Sequence, residues 1–293
     1  MLKNKDLLGL QYCSAEEITE ILDGAAEMKK FLCGKERKSN LLAGRSLVTL
    51  FYENSTRTRS SFELAGKLLG ASEVNISSAA SSVQKGETLI DTGETLDAMK
   101  VDYIVIRHPM AGAPKLLAEH VKASVINGGD GMHEHPTQAL LDMLTIREKL
   151  GKIKGLKVAI LGDIKHSRVA MSNLIGLKKL GAEVYFYAPA TMMPKDIDKL
   201  GAKTAKSREE AIDGADAVMG LRIQLERQNG GLFPSLSEYS RFYGVNDEIL
   251  KYAKKTAIVL HPGPVNRGVE LTPQVIDGDK SVVLEQVTSG VAV

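Results

Sequence analysis

Apolar residues along this chain gather in short runs, and between the runs they recur at helical spacing. The segments SLVTLF (46–51), YIVIR (103–107), SVIN (124–127), KVAIL (157–161), EVYFY (183–187), AVMG (217–220) and AIVL (257–260) predict buried β-strands. Ser14 and Glu17 form a capping box ahead of Ile18, Ile21 and Leu22, which predicts a helix over 15–31. Further helical patterns cover 60–69, 137–150, 168–180 and 208–213. Strands alternating with helices argue for parallel sheets built from right-handed βαβ units. The serine-rich stretch 72–86 and the segment 226–240 (ERQNGGLFPSLSEYS) read as loops.

The resulting fold class is α/β with two domains, each a parallel β-sheet flanked by helices. An active site is expected in the interdomain cleft, outside the carboxyl ends of the strands. The boundaries are expected at 1–134 for the first domain, 135–150 for a linking helix and 151–280 for the second domain. Residues 281–293 then start a C-terminal helix that returns to the first domain.

A chain of 293 residues is long for one hydrophobic core and comfortable for two, in keeping with that division. Charge narrows the function. A net charge of +2 argues against a nucleic-acid partner, whereas a small anionic substrate needs only a local basic cluster. Cys13 and Cys33 form neither a disulfide framework nor a CxxC metal site, and the sequence shows no metal-ligand cluster. No metal and no cofactor are expected. The N-terminus lacks a signal-peptide apolar region, and no run approaches the roughly 18 residues of a membrane span. A cytoplasmic protein with no membrane partner is expected. No GxGxxG follows any strand and no Walker loop occurs, which argues against a nicotinamide-dependent dehydrogenase.

Candidate chemistry concentrates in FYENSTRTRSSFELA (51–65). An apolar strand ends there, and Ser55, Thr56, Arg57, Thr58 and Arg59 open a helix. Helix N-termini present unpaired N–H groups and partial positive charge, hydroxyls add short donors, and arginine adds a planar fork that matches phosphate. Arg107, in RHP, sits at another strand end. In HPTQ, His135 and Gln138 lie on one helical face. A neutral histidine can donate to a substrate carbonyl, and a glutamine carbonyl can accept from an N–H donor. In the second half, Arg168 and Arg222 each follow a strand end, an arrangement suited to two carboxylates.

STRTRSSFE after an apolar strand resembles the carbamoyl phosphate signature of the aspartate and ornithine carbamoyltransferase family. RHP, HPTQxLLD, RxQxER and HPGP follow in the family's order, so the likeness runs from about residue 41 to 270. The resemblance implies a carbamoyl phosphate-binding domain at 1–134 and an aspartate-binding domain at 151–280. It implies that Ser55, Thr56, Arg57 and Thr58 grip phosphate, with Thr58 and Arg107 also reaching the carbonyl oxygen. Arg59 and His108 are left with structural roles, and His133 with none.

Ser81 and Lys85 are implied to reach a neighbouring subunit's site, Lys85 also touching aspartate, which makes the enzyme a homotrimer with shared sites. Arg168, Arg222 and Gln224 would hold aspartate, Glu226 and Arg227 would order their loop, and the carbonyls of Pro262 and Gly263 would accept from the carbamoyl –NH2. The catalytic set is thus Arg57, Thr58, Lys85, Arg107, His135 and Gln138.

The implied reaction carries a carbamoyl group to the α-amine of L-aspartate. The ornithine branch carries HCLP and SMG elements, where this chain has HPGP and RIQ. Carbamoylation of ornithine or another amine is the alternative reading, beside a non-catalytic paralogue. Regulatory or dihydroorotase partner chains remain open. The family's last helix is longer than the stretch after Ser281 here.

Overall fold

The structure is a computed structural model that describes residues 3–77, 86–223 and 232–293. Backbone packing divides the chain into two compact units, Met1–Leu141 with Thr288–Val293, and Asp142–Val287.

The first unit opens with α1 (Ala15–Cys33), closed at its N-terminus by the reciprocal Ser14–Glu17 capping box. There follow β1 (Ser46–Phe51), α2 (Thr56–Leu69), β2 (Ser72–Ser77), α3 (Leu89–Ala98), β3 (Tyr103–His108), α4 (Ala113–Ala118) and β4 (Ser124–Asp130). The strands form one parallel sheet in the order β2-β1-β3-β4. Its two faces are buried separately. Val48, Leu50, Ile104, Ile106 and Val125 pack on one side with Leu96 and Leu117, while Leu47, Phe51 and Val105 pack on the other with Phe62. Burial on both faces explains why β1 and β3 read as unbroken apolar runs.

The helix α5 (Pro136–Leu150) passes from the residues of the first unit into those of the second. The second unit contains β5 (Lys157–Leu161), α6 (Arg168–Lys179), β6 (Glu183–Tyr187), β7 (Lys203–Thr204), α7 (Arg208–Ile212) and β8 (Ala217–Gly220). It continues with α8 (Leu236–Tyr243), α9 (Asp247–Leu250), β9 (Ile258–Leu260) and α10 (Pro273–Asp277). The sheet is again parallel, in the order β7-β6-β5-β8-β9. The last helix, α11, spans Val283–Ala292.

Each sheet reverses its direction of growth once. In the first unit the switch lies between β1 and β3, in the second between β5 and β8. Open α/β sheets bind ligands where two neighbouring strands send their following loops to opposite sides. The segments that start there are 52–56 and 109–112 in one unit, and 162–167 and 221–223 in the other.

Two expectations need correction. Residues 72–77 are the edge strand β2, not loop; Val74 is 54% exposed while Ile76 packs inward, so the short alternation hid among serines. Helix α2 does start within the STRTR segment, at Thr56; its first turn is polar, so the apolar pattern marks only its later turns, from Phe62. Within the expected loop 226–240, α8 begins at Leu236, where the Ser235 hydroxyl accepts the Glu238 N–H at 3.1 Å.

Candidate active site

After β1, Ser55 takes the N-cap position of α2 with extended backbone (φ −155°, ψ 95°). Its hydroxyl makes no capping bond, whereas those of Ser14, Thr88, Ser167, Ser207 and Ser235 each accept an N–H of their own helix. The first turn of α2 therefore presents backbone N–H groups together with the hydroxyls of Ser55, Thr56 and Thr58 and the side chain of Arg57. That is the composition of an anion cradle.

Arg107, one strand over in β3, is held beside it. Its Nε donates to Glu53 Oε2 at 3.2 Å, and its Nη1 donates to the Gly128 carbonyl at 3.2 Å and to Thr58 Oγ1 at 3.4 Å. The Arg107 and Glu53 side chains are only 13% and 14% exposed. Two segments far apart in sequence, 53–58 and the end of β4 at Gly128, thus fix the plane of one guanidinium. Arg59 pairs loosely with Glu63 at 3.7 Å along its own helix. The His108 ring tilts against Tyr52 at 4.7 Å, and its Nδ1 accepts the Met110 N–H. Burial pushes its pKa down.

His135 is 6% exposed and stands just before α5, its Nδ1 3.4 Å from Thr137 Oγ1. Its carbonyl accepts the N–H groups of Gln138 and Ala139. The loop that delivers it is fastened by two buried carboxylates. Asp130 accepts from Gly112 N–H (2.8 Å), Asn127 Nδ2 (2.8 Å) and Glu134 N–H (3.1 Å), and it pairs with His133 Nδ1 (3.0 Å). Glu134 accepts the N–H groups of Leu10 and Gln11. The Gly131 N–H donates to the His108 carbonyl at 2.9 Å, which ties this loop to the Arg107 turn.

In the second unit, Asp163 follows β5 and accepts the His166 N–H at 3.1 Å, shaping the turn into α6. Arg168, the first residue of α6, is buried at 3% exposure, unlike a surface salt-bridge partner. After β8, Arg222 is half-buried between buried Leu221 and Ile223. Glu270 braces this strand end from the loop after β9. It accepts from Ile223 N–H (2.8 Å), Asn266 Nδ2 (2.7 Å) and Asn266 N–H (3.0 Å). Burial raises the Glu270 pKa against those bonds. In the loop 261–264, His261 is buried and its Nδ1 accepts the Gly263 N–H at 2.8 Å, while Gly263 takes the left-handed φ of 61°.

The structure thus joins Thr58 to Arg107 by a direct contact and links the Arg107 turn to the His135 loop. Ser81, Lys85, Gln224, Glu226 and Arg227 lie outside the described residues. Sequence reasoning missed Glu53, Asp130, Glu134 and Glu270. The acidic residue inside FYENST was the available signal for Glu53; the others stand in no local pattern. Among the described residues no group of three or more His, Cys, Asp or Glu side chains could hold a metal ion. No described helix is long and apolar enough to cross a membrane.

The family described as "Aspartate/ornithine carbamoyltransferase, carbamoyl-P binding domain" matches residues 5–148, and "Aspartate/ornithine carbamoyltransferase, Asp/Orn binding domain" matches residues 154–293. The chain is 64% identical to the aspartate carbamoyltransferase catalytic subunit of Ruminiclostridium cellulolyticum, over 100% of this chain and 93% of that protein. It is also 64% identical to the subunit of the same name from Acetivibrio thermocellus, over 100% and 94%. Among solved structures it is similar to aspartate transcarbamoylase from Trypanosoma cruzi in complex with N-(phosphonacetyl)-L-aspartic acid. That match has a TM-score of 0.90 and 33% identity, and it covers 99% of this chain and 94% of that one. Ornithine carbamoyltransferase from Pyrococcus furiosus matches with a TM-score of 0.87 at 32% identity, covering 98% and 93%.

Proposed function

Because the chain belongs to the aspartate/ornithine carbamoyltransferase family, we propose that it carries the carbamoyl group of carbamoyl phosphate to the α-amine of L-aspartate. The products are N-carbamoyl-L-aspartate and phosphate, the second step of pyrimidine biosynthesis. The observation that carries this reading is the Glu53–Arg107–Thr58 cluster at the switch point of the first sheet, beside a helix N-terminus whose cap hydroxyl does not cap. The choice of aspartate is supported by the names of the relatives at 64% identity and by HPGP and RIQ at the positions that differ in the ornithine branch. Trypanosoma cruzi aspartate transcarbamoylase, similar over 99% of this chain, is described in complex with carbamoyl phosphate and aspartate.

In the proposed mechanism Ser55, Thr56, Arg57 and Thr58 hold the phosphate, with Ser81 and Lys85 supplied by a neighbouring subunit of a homotrimer. Arg168, Arg222 and Gln224 hold the aspartate carboxylates, and Lys85 also contacts aspartate. The neutral amine attacks the carbonyl carbon. A C–N bond forms as the C–O bond to phosphate breaks, and the departing phosphate takes the amine proton. Thr58, Arg107 and His135 face the developing oxyanion. Gln138 and the carbonyls of Pro262 and Gly263 orient the carbamoyl –NH2. Holding both substrates in register supplies much of the acceleration. The free thiols Cys13 and Cys33 suit a reducing cytoplasm. Regulatory or dihydroorotase chains are candidate partners through the family alone.

Product formation from carbamoyl phosphate, with L-aspartate and L-ornithine in parallel, tests the reading. Wild type is expected to make carbamoyl-aspartate, and Arg57→Ala to lose about a hundredfold or more in kcat. Product with ornithine alone would replace the aspartate reading. No product with either amine would favour a non-catalytic chain.

A further inference from the structure

The loop 261–264 is set by a buried polar relay that begins on α5. His261 is the first residue after β9, and its N–H is buried, so it needs an acceptor. That acceptor is Gln286 Oε1 on α11, at 2.9 Å. An amide has two chemically different ends, and the far end decides which one faces His261. Gln286 Nε2 donates to Asp142 Oδ1 at 2.7 Å, so its amide oxygen is the end left for His261. The other Asp142 oxygen accepts from Asn173 Nδ2 at 2.8 Å. Asp142, Asn173 and Gln286 are 0%, 0% and 3% exposed, so this orientation is not exchanged with water.

The relay continues into the loop. His261 Nδ1 accepts the Gly263 N–H, so that ring nitrogen carries a lone pair and the Gly263 N–H is turned onto the ring. The Pro262–Gly263 peptide is trans and planar, so the Pro262 carbonyl points opposite to that N–H, away from His261.

We propose that Asp142 and Gln286 are positioning residues, which through His261 aim the loop carbonyls at the amide of carbamoyl phosphate. The inference rests on the reading of Pro262 and Gly263 as acceptors for the carbamoyl –NH2. It assigns to two buried side chains a share, beside Gln138, of the discrimination between –NH2 and groups of similar size that cannot donate.

The test compares carbamoyl phosphate, acetyl phosphate and inorganic phosphate as ligands of the full chain. Acetyl phosphate replaces –NH2 by –CH3, and inorganic phosphate lacks the acyl group. The variants are Gln286→Leu, Asp142→Asn and the double variant Asp142→Asn with Gln286→Glu. In Asp142→Asn only one oxygen is left to accept from the –NH2 groups of Gln286 and Asn173. Asn173 Nδ2 is also held by the Val169 carbonyl at 3.1 Å, so Asn173 keeps that oxygen and Gln286 turns over, which presents its own –NH2 to the His261 N–H.

Both single variants are expected to bind carbamoyl phosphate about tenfold more weakly, with inorganic phosphate unchanged and the preference over acetyl phosphate lowered by the same factor. In the double variant the carboxylate introduced at position 286 accepts both from the His261 N–H and from the amide introduced at position 142, so the preference returns. Asp142→Asn keeps the shape of the side chain and carries the test if Gln286→Leu does not fold. Single variants that keep the wild-type preference, or that weaken all three ligands in parallel, would overturn the inference. A wild type that binds acetyl phosphate as tightly as carbamoyl phosphate would instead remove the reading of the loop as an amide acceptor.

Discussion

His133 had no role in the sequence, and the fold gives it one through a single carboxylate. Its Nδ1 lies 3.0 Å from Asp130 Oδ2, and Gln11 Nε2 meets its other nitrogen. The hydrogen bond to Asp130 raises the His133 pKa, with burial opposing and the Asp130 and Glu134 charges adding to the rise. Burial pushes Asp130 up, but its bonds from His133, Asn127, Gly112 and Glu134 outweigh that and hold it below the ordinary carboxylate range. A histidine raised in the folded state binds a proton that the unfolded chain releases. Its stabilisation is therefore complete below about pH 6.5, the unfolded value, and is lost as pH rises through the higher folded value. Since the imidazole is 36% exposed, screening limits the effect to about 1 kcal/mol or less. His133→Gln is expected to lower unfolding stability relative to wild type at pH 5.5 and to leave it unchanged at pH 9. Urea unfolding at both values checks this, and an equal loss at both would assign His133 to packing instead.

Between elements, Gly131 is where the turn after β3 and the loop leading into α5 meet. It has φ +49°, and an added Cβ would lie 2.9 Å from both Ala111 N and Pro109 O, backbone atoms of the Arg107 turn. Gly131→Ala is expected to cost about 2 kcal/mol or more, from left-handed strain and overpacking together. Carbamoyl phosphate affinity should fall as well, because Arg107 and His135 stand on the two segments pushed apart. Calorimetry with a folded variant separates the two effects; unchanged affinity would show that the segments move independently. The same elements show what could be read in advance. β1, β3 and β5 were legible because burial on both faces leaves uninterrupted apolar runs. The edge strand β2 was not, with Val74 outward and serines around it. Helix α3 went unread although Thr88 and Asp91 form a capping box, since Thr92, Gly93 and Thr95 dilute its apolar stripe. Around the site, the contiguous STRT, RHP and HPTQ segments carried their own signal. Asp142 and Gln286 stand 144 residues apart, and no local spacing announces a partner at that distance.

For the molecule as a whole, the proposed site is incomplete in one chain, because Ser81 and Lys85 are read as belonging to a neighbour's site. That assignment comes from the resemblance of the segment Ser81…Lys85-Gly86-Glu87-Thr88, and it has a consequence that no single-chain mechanism shares. If Lys85 serves the adjacent site, Lys85→Ala and Arg57→Ala damage different chains of the same site. Each variant alone should be nearly inactive, since every site in its trimer lacks one group. When the two are dissociated, mixed in equal amounts and reassembled, some sites take intact Arg57 from one chain and intact Lys85 from its neighbour. Random reassortment in a closed ring makes roughly a quarter of the sites whole. Activity should therefore reappear in the mixture, and light scattering should give the mass of three chains before and after. If Lys85 acts within its own chain, mixing restores nothing, because every site still carries one of the two lesions. A mixture that stays inactive, with both proteins trimeric and exchanging subunits, would return Lys85 to the chain that bears it and remove the shared site from the mechanism.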